Sequence, residues 1–208
     1  GTTVTIGDSG DTINIVGTLQ NNGSAVEVDS VTFKEGGTNF TNSLLVGTDS
    51  TGTLDSADGN TGVGVGVFGA LTSGDNNVAV GLNALAANTS GVQNSALGQT
   101  AMSSNTTGGR NIAIGHESLC TNTTGGDNVS IGRRALKLNN TSSCNTAVGT
   151  NTLSNNVADN NTAVGYQSMF ANTTGERNTA VGPLSLDANT TGSRNSAFGE
   201  GCLGSNTT

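Results

Sequence analysis

The side chains that could do acid–base, nucleophilic or metal chemistry are few in this sequence, and they do not converge. There is one histidine, His116, and there are three cysteines, Cys120, Cys144 and Cys202. His116 follows a glycine in IAIGHES and reads as a solvated loop residue; only by meeting its own copies on a symmetry axis would it reach a metal. An odd cysteine count is no disulfide framework, and Cys120 and Cys144 read as free thiols. Asp8, Asp11, Asp29, Asp49, Asp55 and Asp58 are scattered among Gly and Ser without calcium-loop spacing, so they read as turn caps. Arg133, Arg134 and Lys137 cluster either as a solvated face or as a contact for an acidic glycan or partner. A catalytic site needs titratable groups aimed at one point. The expectation is a protein that is not an enzyme and uses no cofactor or metal.

Composition narrows the partners. The net charge is −8 with only seven Lys and Arg, so there is no basic footprint for nucleic acid or anionic lipid. No apolar run approaches the ~18 residues that span a bilayer, so membrane insertion is not expected. Apolar residues make up 32% and aromatics 3%, too lean for the large core of a compact sphere of 208 residues.

What positions the side chains is a repeat. An asparagine opens each copy, at Asn77, Asn94, Asn111, Asn128, Asn145, Asn161, Asn178 and Asn195, with steps of 17, 17, 17, 17, 16, 17 and 17 residues. A weaker copy starts at Asn60 and a fainter echo ends at Val46-Gly47. With that Asn as position 0, position 2 is small, as in Ala79 and Ala96, and position 3 is large and apolar, as in Val80 and Leu97. Position 4 is Gly81, Gly98, Gly115, Gly132, Gly149, Gly165, Gly182 and Gly199, and position 8 is Leu or Met. Position 11 is Asn again, usually before Thr-Thr-Gly.

A pentad such as NTAVG fits one short strand with a large and a small face, ended by a glycine where a side chain would obstruct a corner or a neighbouring backbone. The Asn-Thr-Thr-Gly segment then turns the chain, its Asn and Gly supplying left-handed backbone angles. Seventeen residues are too few for a β–α unit and show no helical stripe. The fold class predicted is all-β, a parallel β-solenoid of about nine coils, with the two Asn columns and the Gly column stacked as ladders. Arg110, Arg177 and Arg194 share position 16, where Asp127 falls in register to relieve like charge.

Each coil has only two or three large apolar side chains to bury, at positions 3 and 8 and sometimes 1. A lone rod is then close to marginal. Burying the Ala/Gly face against neighbouring chains would tip the balance, which predicts an intertwined or side-by-side homotrimer; the pattern leaves open which face lines the coil and which faces the partners. Sequons at Asn88, Asn105, Asn122, Asn172 and Asn189 are candidate glycosylation acceptors, although turn chemistry explains the same residues.

Residues 1–58 differ from the repeat region 59–208. Val4 with Ile6, Ile13 with Ile15, and Val26, Val28, Val31 and Phe33 alternate as short strands, and SLLVG at 43–47 reads as the last strand before it. This portion is expected to be a β-rich connecting or attachment segment.

The stretch NTAVGYQSMFANTTGERNTAVGPLSL resembles repeats in trimeric fibre proteins of tailed phages, and is similar to the head repeats of trimeric autotransporter adhesins. VTFKEGGTNFTNSLLVGTDSTGTLD resembles segments that precede such repeats, so the resemblance covers about residues 30–208. Adhesin repeats are generally shorter, and the Asn-Thr-Thr-Gly turn here is an extension. The resemblance implies a left-handed β-roll, a homotrimer, and a virion or cell-surface location. It also implies attachment to a host glycan or protein alongside other fibre proteins. The alternative on the same repeats is a bacterial adhesin or a self-assembling extracellular filament.

Overall fold

The computed structural model describes residues 26–28, 31–35, 40–47 and 51–208. The alternations expected around Val4, Ile6, Ile13 and Ile15 lie outside the described residues, as do Asp8, Asp11, Asp29 and Asp49. Two strands, β1 (Val26–Val28) and β2 (Val31–Glu35), pair antiparallel, and β2 pairs antiparallel with β3 (Leu44–Val46). From β3 onward every pairing is parallel: β4 (Thr61–Val63), β5 (Val78–Val80), β6 (Ser95–Leu97), β7 (Ile112–Ile114), β8 (Val129–Ile131), β9 (Thr146–Val148), β10 (Thr162–Val164), β11 (Thr179–Val181) and β12 (Ser196–Phe198). These ten parallel strands form a β-solenoid of about nine turns. Equivalent repeat positions pair directly, Ala96 opposite Ala113 and Leu97 opposite Ile114.

Stacked coils begin earlier than residue 59. β3 is already in parallel register with β4, Leu44 opposite Thr61. Ser43 takes the place of the opening Asn there, its hydroxyl accepting the Asn60 N–H at 2.8 Å.

The sense of the strand alternation, which the sequence pattern leaves open, is fixed by the structure. The small residue at position 2 points in: Ala79, Ala113, Ala147, Ala163 and Ala180 are fully buried. The large residue at position 3 points out, with Val63 40%, Leu97 50% and Phe198 68% exposed. In the single chain the small position 2 lies inside, so position 3 is not among the side chains that the coil itself fully buries. The coil is too narrow for two large rows. Position 8, occupied by Phe68, Leu85, Met102, Leu119, Leu136, Leu153, Met169 and Leu186, already fills it from the far side. A second small column at position 7, such as Ala84, Ala101 and Ser118, completes the core. At Gly62 the limit is visible, because a Cβ there would lie 2.8 Å from Val67 Cγ1 and 3.0 Å from Phe68 Cδ2.

The turns differ from expectation. In the coil from Asn94 the left-handed residues are Gly98, Thr100, Met102 and Arg110, at positions 4, 6, 8 and 16. Position 8 repeats this throughout, from Leu85 at φ 50° to Leu203 at φ 53°. Bulky residues adopt this strained region only where packing over-determines it, and burial of Leu and Met inside the coil supplies that here. Glycine at position 14 serves close approach instead: a Cβ on Gly91 would lie 2.5 Å from the Gly108 carbonyl oxygen and 2.8 Å from Asn105 Nδ2.

Candidate functional site

Two buried asparagine columns run through the rod. At position 0, Asn77 Oδ1 accepts from the backbone N–H of Asn94 at 2.9 Å and from its Nδ2 at 3.1 Å. Asn94 Nδ2 also donates across the coil to the Gly108 carbonyl at 2.8 Å. At position 11, Asn105 Nδ2 donates to Asn88 Oδ1, and Asn122 Nδ2 to Asn105 Oδ1, each at 2.8 Å. Asn88, Asn105, Asn122, Asn172 and Asn189 are all fully buried with their amide nitrogens engaged in this way. The folded coil presents none of these candidate acceptor nitrogens to a glycan, and the turn-chemistry reading of the same residues accounts for them.

The sequence-selected reactive residues stay apart. Cys120, Cys144 and Cys202 are free, and among the described residues no three His, Cys, Asp or Glu side chains are placed so that they could hold a metal ion. His116 is half-exposed on the column just past the corner glycine. Asp58 caps a turn, its Oδ1 accepting the Thr41 N–H at 2.9 Å. Arg110 makes a two-bond pair with Asp127, Nε to Oδ1 at 2.6 Å and the guanidinium's Nη2 to Oδ2 at 2.8 Å.

Glu117 is the charge centre of the described rod. Its Oε2 accepts from Arg134 Nε at 2.7 Å and lies 3.1 Å from Lys137 Nζ. The hydrogen bond from Arg134, then that from Lys137, holds the carboxyl down at about 2. Because the folded value lies below the ordinary 4.5, the stabilisation is present above pH ~4.5 and is lost as pH falls through ~2. Glu117→Gln is expected to lower Tm by no more than about 3 °C at pH 6, as a partly exposed pair should. The difference from wild type should vanish near pH 2, as thermal scans across that window would show.

Two features break the monotony. The first is the outer sheet face. Position 3 side chains, joined by Leu44, Val78, Ile112 and Val129 at position 1, make an apolar stripe along ten rungs, about 43 Å at ~4.8 Å per spacing. The second is the short coil that starts at Asn145. The missing residue falls in its turn, where Asn156-Val157-Ala158-Asp159 replaces Asn-Thr-Thr-Gly. Without a position-14 carbonyl in register, Asn145 Nδ2 makes only a 3.4 Å contact with Asn139 Oδ1. The gap leaves a cleft of about 340 Å³ beside Ser142, Asp159 and Glu176, and room for Ser142 where other coils need glycine. On another side of the same coil lies a second cleft of about 300 Å³, between Arg134 and Lys137 on one coil and Gln167 and Phe170 on another. The sequence signal for the first cleft is the single 16-residue step; the second is lined by no residue of the shortened turn.

Comparison with protein-family models, with curated proteins and with solved structures finds no match to this chain. No described helix is long and apolar enough to cross a membrane.

Proposed function

We propose that this chain is the homotrimeric shaft or receptor-proximal part of a virion tail fibre, holding attachment contacts rigidly away from the particle. One observation carries this reading: an apolar stripe ten rungs long lies on the outside of a rod whose interior is already full. Contiguous exposed apolar surface of this extent marks an association site. Straight stripes on identical rods suit side-by-side packing about a common axis, in which each chain offers the same face. The resemblance of the NTAVG-type repeats to trimeric fibre and adhesin repeats points the same way. The face between chains is then the large-residue face, not the Ala/Gly face. Three parallel copies would multiply weak contacts through avidity.

Sedimentation equilibrium tests it. The wild-type chain is expected at three times its monomer mass. Leu97→Lys with Ile114→Lys should give a monomer at micromolar concentration, because both positions are exposed in the single chain and their loss leaves its own core intact. Gln99→Lys, past the corner glycine, should leave the trimer unchanged. A wild-type monomer would end the proposal.

A further inference from the structure

We infer that the cleft between Arg134, Lys137, Gln167 and Phe170 is a binding site for a carboxylate-bearing oligosaccharide. In a chain of net charge −8, three of the seven basic residues, Arg133, Arg134 and Lys137, fall within five positions. Arg134 and Lys137 share one counter-ion, Glu117, so the pair of cations keeps one positive charge uncompensated. Arg134 engages Glu117 through Nε alone among its described hydrogen bonds, which leaves the guanidinium's terminal nitrogens to meet a second carboxylate.

The rest of the cleft matches a sugar. The side-chain amides of Asn151, Asn155 and Gln167 line it and make no hydrogen bond to other described residues, so they can serve hydroxyl groups in both directions. Phe170 and Leu138 supply apolar walls for the C–H face of a pyranose, Leu138 being 45% exposed. A volume of about 300 Å³ is at the lower end for small-molecule clefts. Nucleic acid is disfavoured by the chain's net charge, whereas one or two carboxylates meet the local excess.

All lining residues belong to one chain, so the site does not require the trimer; it names a ligand for the attachment role and rests on that reading only for its purpose. Calorimetry on the full chain with trigalacturonate and with sialyllactose, against maltotriose and inorganic sulfate, tests it. At least one acidic sugar should bind with Kd below about 1 mM and neither control should. Arg134→Gln and Lys137→Gln should each weaken binding about tenfold, and Phe170→Ala by a similar factor. Glu117→Gln, which removes the competing carboxylate, should tighten binding several-fold. Failure of both acidic sugars, equal binding of sulfate, indifference to Arg134→Gln, or weakening by Glu117→Gln would each overturn it. Sedimentation of the same samples separates the two ideas: a monomer that binds sinks the trimer alone, and a trimer that does not bind sinks this site alone.

Discussion

Gly115→Ala is expected to destabilise the rod by at least about 2 kcal/mol more than Gly199→Ala, although the two glycines occupy the same repeat position. Both have backbone angles that L side chains rarely adopt, φ +127° and +118°. That shared strain amounts to about 1–3 kcal/mol in each variant. They differ in what lies above them. A Cβ on Gly115 would sit 2.7 Å from the carbonyl carbon and oxygen of Gly132 and 3.1 Å from Arg133 N. These are backbone atoms of the next coil, held in the ladder, so they cannot swing aside. Gly199 is the corner glycine of the last coil in the 208-residue sequence, so in that chain nothing lies within 4 Å of its Cβ position. The extra loss at Gly115 therefore measures coil-on-coil contact. Urea denaturation at one fixed protein concentration reads it, because association would otherwise shift the midpoint. Equal losses at the two sites would mean that successive corners do not touch.

The second large effect is expected at the asparagine column. Asn111→Ala removes four hydrogen bonds in a fully buried setting. Asn111 Nδ2 donates to Asn94 Oδ1 at 3.2 Å and to the Gly125 carbonyl at 2.9 Å. Its Oδ1 accepts from the backbone N–H and the Nδ2 of Asn128, each at 3.0 Å. Leaving such groups unpaired out of water costs ~1–3 kcal/mol apiece, which places the loss at about 3–6 kcal/mol after partial relaxation. Asn195→Ala provides the contrast. Asn195 Nδ2 is the buried side-chain atom without a partner among the described residues, and its side chain is only partly covered. That substitution should cost about 1 kcal/mol or less. A hydrogen-exchange comparison would localise the Asn111 effect, with protection lost first in the coils flanking residue 111.

Much of this architecture was legible because identity itself repeats. The Asn at positions 0 and 11, the corner Gly and the Leu or Met at position 8 recur in register, and a parallel stack is the arrangement that lets one residue type solve the same problem in every coil. The sense of the strand was not legible from alternation. A period of two separates Ala96 from Leu97 without saying which faces in; interior width decides that, and it is set by residues far along the coil. Two compensations did carry the information. Phe68, the largest residue at position 8, faces Gly62 where every later coil has Ala or Ser. Ser130, the one hydroxyl at position 2, is buried within 2.7 Å of Ser118 Oγ, with its own Oγ donating to the Ala135 carbonyl. Position 2 therefore shares an interior with positions 7 and 8. The left-handed turns at Leu and Met were hidden for a different reason. Intrinsic preference assigns such angles to Asn and Gly, and here burial of the side chain overrides it. Of the candidate sites, the Arg134–Lys137 cluster was visible as charge, but its partner Glu117 and the facing amides came from stacking.

In-register stacking is tested most directly by distances between spin labels on the exposed column after the corner glycine. In a background with Cys120, Cys144 and Cys202 replaced by Ser, nitroxides at Leu82 and Thr150 span four coil steps, and nitroxides at Leu82 and Glu200 span seven. At ~4.8 Å per step the backbone separations are about 19 and about 34 Å. Pulsed dipolar measurements, with labelled chains diluted into unlabelled protein, should give two narrow distributions whose difference is about 14 Å. Broad distributions, or separations that fail to grow with the number of coils, would contradict the stack on which every claim about its surface stands.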